Sequence, residues 1–210
     1  MIDLNQFQDD RTVIGYCSVE KLNNSDIHVE AYNKGVAKKP KDYLNNAKTI
    51  IVVGNAVEFA EEIYKRSFLG GSYPGYGRVF SLSKAISAYL TDNGYKAKVA
   101  HGISQKTAAV EAGLGVWAKN ALVINEKFGT HLRFDTVVTT WEPEIYSGLS
   151  NLDLCLGCND CIIACPYGCL SDYKVDAKRC FNKYLKKSEL HLEIPMCSIC
   201  QTTCRYNNYR

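Results

Sequence analysis

Residues 155–170 read CLGCNDCIIACPYGCL, and five of these positions are cysteine. Four more cysteines follow at positions 180, 197, 200 and 204, so nine of the 10 cysteines lie in the C-terminal third of the chain. The N-terminus shows no basic segment followed by an apolar run, so we expect no export signal, a cytoplasmic location and reduced thiols. Clustered thiols in a reducing compartment indicate metal binding.

Four of these cysteines form a run with diagnostic spacing. They match the pattern C-x2-C-x2-C-x3-C-P, which binds a [4Fe–4S] cluster in bacterial ferredoxins. The fourth cysteine of such a run binds a second cluster, so a second set of thiolates should exist. We therefore predict two clusters with crossed ligands. One is held by Cys155, Cys158, Cys161 and Cys204, and the other by Cys165, Cys180, Cys197 and Cys200.

Zinc and disulfides are the alternatives to iron–sulfur clusters. A structural zinc site uses two C-x2-C pairs set well apart, and three evenly spaced cysteines plus a fourth exceed that requirement. A disulfide framework conflicts with the reducing compartment. Cys169 is interpreted as a packing residue, although it competes with Cys180 for one cluster position. Cys17 lies in an apolar segment and is predicted to be a buried thiol.

Before the cysteine-rich segment, strand patterns alternate with helix patterns. Residues 12–20 and 48–57 read as apolar strands. The second is β-branched and apolar on both faces, which is typical of a central strand. Apolar spacing predicts helices over 79–95 and 104–113, the latter with Ser104 as its N-cap.

Shorter elements are predicted between and after these helices. Residues 96–102, 120–125 and 131–141 read as strands, and EKFG at 126–129 reads as a hairpin turn between the last two. The sequence GGSYPGYGR at 70–78 is rich in glycine and tyrosine. It is interpreted as a loop that either borders a site or connects two elements.

The turn-rich residues 142–153 suggest a boundary between two domains. We predict an α/β domain for cofactor or substrate over 1–150 and a two-cluster ferredoxin-like domain over 151–210, in which 181–195 begin as a helix. The expected fold class is α+β with a mixed sheet. No apolar run approaches the ~20 residues of a membrane span. The net charge of +3 is too small to indicate a nucleic-acid or membrane partner.

Several segments together resemble one protein family. They are AKTIIVVG (47–54), AAVEAGLGVWAKNALVI (108–124), FGT (128–130), the cysteine run, an RC pair and the final C-x2-C-Q-x2-C. In combination they resemble the epoxyqueuosine reductases and the reductive-dehalogenase-like iron–sulfur proteins, over residues 36–207. The resemblance implies a nitroreductase-like α/β domain followed by a ferredoxin-like module with two [4Fe–4S] clusters. It also implies a corrinoid, cobalamin, bound between them.

The AGLG…KN segment suggests contacts to such a cofactor. Gly113 and Gly115 would allow a flat molecule to approach the backbone closely, and Lys119 and Asn120 would bond to its polar rim. The alternative from the residues alone is a helix C-cap followed by a strand, with Lys119 in solvent.

The predicted clusters constrain the function. Clusters bound by four thiolates carry single electrons, and a ~50-residue module is enough for that, so the rest of the chain is best explained by a pocket. We expect a reductase that takes electrons from a ferredoxin or flavodoxin and passes them to a corrinoid or a small substrate. The alternative is a ferredoxin-like electron carrier that reduces a partner, for example a corrinoid protein, and has no substrate of its own.

The chain departs from the tRNA-modifying enzyme near the expected site. That enzyme has an acidic residue before the helix that leads to AGLG, whereas residues 99–110 contain no Asp or Glu. His101 and Ser104 lie in this neighbourhood, but no catalytic residue is predicted. Residues 205–207 are Arg-Tyr-Asn in place of Pro-Trp-Asn. A small molecule is therefore expected as substrate rather than a nucleic acid.

Overall fold

A computed structural model describes residues 2–25, 37–57, 74–148, 153–180 and 197–207. The helix predicted over 181–195 lies outside these residues. In chain order the elements are β1 (Thr12–Ser18), α1 (Val19–Asn24), β2 (Thr49–Ala56), α2 (Pro74–Asp92), β3 (Ala97–Val99), α3 (Gln105–Glu111), β4 (Val116–Trp117), β5 (Val123–Ile124), β6 (Leu132–Thr139), α4 (Asp160–Ala164), β7 (Leu170–Ser171), β8 (Lys174–Val175) and α5 (Ile199–Thr202). Short 3-10 helices lie at Asn5–Phe7 and Pro40–Asp42.

Four strands form the main sheet, in the order β1-β2-β6-β3. All eight residues of β2 are buried, which confirms the prediction of a central strand. The prediction of a mixed sheet is wrong for the described residues, because β2 is antiparallel to both neighbours and β3 is antiparallel to β6. A strand–helix alternation did not reveal this, since a helix can also connect strands that run in opposite directions.

The sheet carries an apolar core on each face. Side chains alternate across a strand, so Ile50 and Val52 enter one core while Ile51 and Val53 enter the other. Helix α3 packs in the first core and α2 in the second. Cys17 lies in the first core with no exposed surface, as predicted, and burial raises the pKa of its thiol to about 12.

The helices predicted over 79–95 and 104–113 are both present, but only the second begins at its predicted position. Helix α2 begins at Pro74, earlier than predicted, because proline suits the first turn of a helix. Residues 74–78 are therefore helical rather than a loop. Ser104 is the N-cap of α3 as predicted, but its hydroxyl bonds to the Thr107 hydroxyl at 2.7 Å instead of capping the backbone.

The predicted turn at 126–129 is present, but the hairpin is not. Asn125 and Gly129 form a β-bridge, and the Asn125 side chain accepts hydrogen bonds from the backbone of Lys127 and Phe128 at 3.0 and 3.1 Å. Strand β5 pairs with β4 instead of β6. Phe128 is fully buried, which anchors the turn in the core while β6 joins the main sheet.

After β6 the chain has no helix or strand over residues 142–148, consistent with a connecting segment. Among the described residues, none of the helices has the length and apolar character needed to cross a bilayer.

Candidate metal centre and adjoining cavity

The cysteine-rich segment is built from tight turns and one-turn helices. Gly157, between the first two cysteines of the run, has φ +71°, and Gly168 has φ +55°. Glycine adopts this left-handed conformation without strain, so both positions allow the chain to reverse direction sharply. The backbone N–H of Cys158 then donates to the carbonyl of Cys155 at 2.9 Å, which closes the first turn.

Four thiols lie close together at this turn, and we call them the first thiol group: Cys155, Cys158, Cys161 and Cys204. Burial and the neighbouring Cys155, Cys204 and Cys158 raise the pKa of Cys161. Burial raises the pKa of Cys204 as well, and the charges of Cys155 and Cys158 add to the effect. Like-charge coupling of this kind requires proximity, so the structure brings together the predicted members of cluster one.

The other predicted set also converges, and we call it the second thiol group: Cys165, Cys180, Cys197 and Cys200. Burial raises the pKa of Cys200 to about 12, with further contributions from Cys197, Cys180, Cys161 and Cys165. Burial together with Cys197 and Cys165 raises the pKa of Cys180. Because Cys161 couples to Cys200, the two groups adjoin.

Cys165 differs from its neighbours because the backbone favours its thiolate. Burial opposes ionisation, but the N–H groups of Cys169, Tyr167 and Gly168 together lower its pKa. One of these bonds, from the Cys169 N–H to the Cys165 sulfur, measures 3.3 Å. Hydrogen bonds to a ligand sulfur are a known means of tuning an iron–sulfur centre.

Cys169 borders the second thiol group. Its side chain is 4% exposed, consistent with packing, and burial raises its pKa to about 11 with contributions from Cys165 and Cys180. Its nearness to both keeps open the alternative that it replaces Cys180 as a ligand.

Lys119 and Asn120 connect the cysteine-rich segment to the rest of the chain. The Lys119 ammonium lies 3.0 Å from an oxygen of Asp172 and 3.0 Å from the side-chain oxygen of Asn159. The alternative interpretation is confirmed in its main part, because the helix ends at a left-handed Gly113 and a strand follows at Val116–Trp117. It is wrong only in placing Lys119 in solvent, since that side chain is 11% exposed. The Asn120 amide donates to the carbonyl of Cys200 at 3.0 Å. Both side chains therefore hold the cysteine loops in the structure described here.

Gly113 and Gly115 permit close approach of the chain to itself. Gly113 has φ +70°, and a Cβ there would collide with the carbonyl oxygen of Gly148. A Cβ on Gly115 would collide with the carbonyl oxygen of Ile124. Neither glycine lines the cavity described below. The space beside these two glycines, which was predicted to admit a flat cofactor, is thus occupied by the backbone of Gly148 and Ile124.

A second set of hydrogen bonds joins the segment of the last cysteines to Thr130, which directly follows the turn at 126–129. The Gln201 amide donates to the carbonyl of Thr130 at 2.7 Å, and the Thr130 N–H and hydroxyl donate to Asn207 Oδ1 at 2.8 and 2.9 Å. The Asn207 amide in turn donates to the carbonyl of Gln201. The FGT segment therefore positions the C-x2-C-Q-x2-C segment.

A cavity of about 380 Å³ lies beside the second thiol group. All four cysteines of that group line it. It is also lined by polar and aromatic side chains, namely Tyr76, His101, Gln105, Lys106, Asn120, Thr130, Arg133 and Tyr167. Of the four residues predicted to contact a cofactor, Asn120 lines this cavity, while Gly113, Gly115 and Lys119 do not.

The pairing of His101 with Asp135 was not predicted from the sequence. Nδ1 of His101 lies 2.7 Å from Oδ1 of Asp135, a residue 34 positions away in β6. Asp135 is fully buried, whereas the His101 side chain is 48% exposed and lines the cavity. A buried Asp within an apolar strand pattern was the available signal, because such a carboxylate requires a partner.

The chain is similar to known proteins in both sequence and fold. No protein-family profile matches the chain. An epoxyqueuosine reductase from Lactococcus garvieae is 30% identical over 193 residues, covering 80% of this chain and 54% of that protein. The chain therefore spans about half the length of this curated relative.

Two solved structures show the same fold. An epoxyqueuosine reductase with a modified tRNA stem loop has a TM-score of 0.67 at 20% identity, covering 98% of this chain and 63% of that chain. A reductive dehalogenase, whose structure suggests a mechanism for B12-dependent dehalogenation, has a TM-score of 0.70 at 17% identity, covering 93% and 30%. The resemblance seen in the sequence is confirmed: this chain is a homologue of the epoxyqueuosine reductases and has the fold that they share with the reductive dehalogenases.

Proposed function

We propose that the protein is an iron–sulfur reductase that delivers electrons to an acceptor bound in the cavity. The first and second thiol groups would each hold one [4Fe–4S] cluster, which supplies single electrons. The observation that carries this proposal is the second thiol group, whose four cysteines all line the cavity. An acceptor in the cavity would therefore lie directly beside a redox centre.

The donor set supports iron–sulfur clusters over a single zinc ion. In a structural zinc site four ligands converge on one ion at about 2.3 Å for each sulfur. The run C-x2-C-x2-C-x3-C-P, with its fourth cysteine in the other thiol group, has instead the spacing of paired iron–sulfur clusters. In a four-iron cube each thiolate binds a different iron, so the sulfurs stand farther apart while still coupling electrostatically.

Three classes of acceptor are proposed for test: a corrinoid, a small molecule and RNA. The B12-dependent relative makes a corrinoid the first cofactor to test. The chain's own residues do not support it so far, because Gly113 and Gly115 face the backbone and the Asn120 amide is bonded to Cys200. We therefore derive no step through a corrinoid. A cavity of about 380 Å³ suits a small molecule, and the tRNA-bound relative keeps RNA among the substrates to test.

The alternative function, an electron carrier without a substrate, has one supporting observation. Leu156 and Ile163, within the cysteine run, are 83% and 82% exposed. Exposed apolar side chains beside the first thiol group suit docking of a redox partner. A reductase needs the same surface for its donor, which we propose to be a ferredoxin or a flavodoxin. The two functions are therefore distinguished by whether an acceptor binds in the cavity.

Corrinoid binding by the anaerobically purified protein separates these functions. The protein is incubated with hydroxocobalamin, passed through a desalting column and examined by visible spectroscopy before and after reduction. Retained corrinoid that is reduced by the protein, and is not reduced by a Cys180→Ser variant, supports a reductase with that cofactor. If no corrinoid is retained, the same protein is tested with a tRNA stem loop. If neither the corrinoid nor the tRNA stem loop binds while the clusters stay intact, these two acceptors are excluded and the choice is between a small-molecule acceptor and the carrier.

A further inference from the structure

The pair of His101 and Asp135 has no role in electron transfer between thiol-bound centres. It lies at the cavity, with the imidazole exposed and the carboxylate fully buried. Because Asp135 engages Nδ1, the nitrogen left for a ligand is Nε2. A buried carboxylate that fixes one ring nitrogen also fixes the tautomer and the orientation of the ring.

The surroundings hold the ring in place. Its centroid lies 4.5 Å from that of Phe80 on α2, with the ring planes at 58°. The Gln105 amide donates to the same oxygen of Asp135 at 3.3 Å and to the His101 carbonyl at 3.4 Å. Burial raises the pKa of Asp135, and the hydrogen bond from His101 opposes that rise. The contacts with Phe80 and Asp135 therefore hold the imidazole in one orientation at the cavity.

The second thiol group shares the cavity with this ring, so their charges interact. An electron gained by the centre that these thiols hold would add a negative charge at the cavity, which favours proton uptake by a group that lines it. The other titratable side chains of the described cavity wall are Tyr76, Lys106, Arg133, Tyr167 and the cysteines of the run and of the C-terminal segment. Among these residue types, histidine is the one that ordinarily titrates between about pH 5 and 8.

We infer that His101, oriented by Asp135, takes up a proton when the centre held by the second thiol group gains an electron, and passes that proton to the acceptor in the cavity. This inference rests on the proposed function. One electron comes from the donor protein and one proton from solvent, which reaches the half-exposed ring. Transfer of both to the acceptor returns His101 to its neutral form. Two such rounds supply the two electrons and two protons of a two-electron reduction.

The test measures the reduction potential of that centre as a function of pH. Full-length protein with its clusters intact is titrated under anaerobic conditions and followed by electron paramagnetic resonance, from about pH 5 to 9. The signal missing from the Cys180→Ser variant identifies the centre. In the wild type we expect its potential to fall as the pH rises through the range of histidine. In His101→Gln the potential becomes independent of pH. In Asp135→Asn the fall moves to lower pH, since the imidazolium loses its carboxylate partner.

A permanent charge in the same cavity provides the matched control. Lys106→Gln removes a positive charge that does not titrate in this range, so the potential drops equally at every pH and the pH dependence remains. A pH dependence that persists in His101→Gln, or a wild-type potential that does not change with pH, overturns the inference while leaving the proposed function standing. Absence of any cluster signal overturns both.

Discussion

The Asn120 amide donates a hydrogen bond to the backbone carbonyl of Cys200 at 3.0 Å, across 80 positions of sequence. Its oxygen accepts a second bond from the N–H of Leu122 at 3.1 Å. Asn120 is buried, with 5% of its surface exposed. The Asn120 side chain thus holds the turn at 118–122 and positions Cys200, a member of the second thiol group. Asn120 therefore has a structural role.

Replacing Asn120 should loosen the second thiol group. Asn120→Ala removes the bond to the Cys200 carbonyl, and a buried polar group left without its partner costs about 1–3 kcal/mol. We expect the variant to lose iron to a chelator faster than the wild type. We also expect a lower occupancy of the cluster held by the second thiol group. Asn93→Ala serves as the control, because the exposed Asn93 amide bonds only locally to the Tyr89 carbonyl at 2.8 Å. Equal rates of iron loss in the two variants would contradict this assignment.

Gly113 and Gly94 form a matched pair of variants that tests whether the close approach of Gly148 to Gly113 constrains the fold. Both have positive φ, +70° and +86°, but a Cβ on Gly94 meets no atom within 4 Å, whereas one on Gly113 collides with the carbonyl of Gly148. Gly94→Ala should lower the free energy of unfolding by about 1 kcal/mol through backbone strain alone. Gly113→Ala should lower it further, as measured by chemical denaturation. Equal losses would show that the approach to Gly148 is not a constraint.

Local patterns predicted most of the main sheet. The continuous apolar run of β2 identified a central strand, although the strand continues through Gly54 and Asn55 to Ala56. The pairing partners and the register of the strands could not be predicted as well from the sequence. The turn at 126–129 was read correctly, yet β5 pairs with β4, because the choice of partner depends on where Phe128 is buried and not on the turn itself. Segment 74–78 was interpreted as a loop because 70–78 are rich in glycine and tyrosine, and the ability of Pro74 to begin a helix was not used.

Stability at high pH should depend on Cys17. Burial raises the pKa of its thiol from 9.0 to about 12, so between these values the unfolded chain carries a thiolate while the folded chain keeps the proton. The unfolded state then binds fewer protons, and stability falls as the pH rises, by up to about 1.4 kcal/mol per pH unit. The Cys17→Ala variant should lack this contribution. Unfolding curves of both proteins at pH 8 to 10 test it, and parallel pH dependence would contradict it.

Cys180 and Cys169 compete for one position in the ligand set. We predict that Cys180→Ser loses one cluster, so that iron falls from about eight to about four per chain, whereas Cys169→Ser keeps about eight. The reason is that Cys169 is almost fully buried and donates its backbone N–H to the Cys165 sulfur. Anaerobic iron and sulfide analysis distinguishes the variants. The reverse result would exchange the roles of the two cysteines.

The candidate site was predictable where spacing determines chemistry. The crossed partition of the eight cysteines was predicted from the run, the later cysteines and the pattern of two-cluster ferredoxins. The structure brings the same two sets of thiols together, and ligation itself stays a prediction. The cavity and the His101–Asp135 pair were not predictable, because they depend on the fold placing α3 beside β6. Contacts assigned to Gly113, Gly115 and Lys119 from the resemblance are instead made within the chain.

Mössbauer spectroscopy of protein grown with enriched iron and kept free of oxygen tests the central claim most directly. Two cubane clusters predict about eight irons per chain, all in the delocalised mixed-valence pairs of oxidised [4Fe–4S] centres, and signals that change on reduction. Stoichiometric zinc with no iron, or iron in any other form after anaerobic reconstitution, would contradict the account.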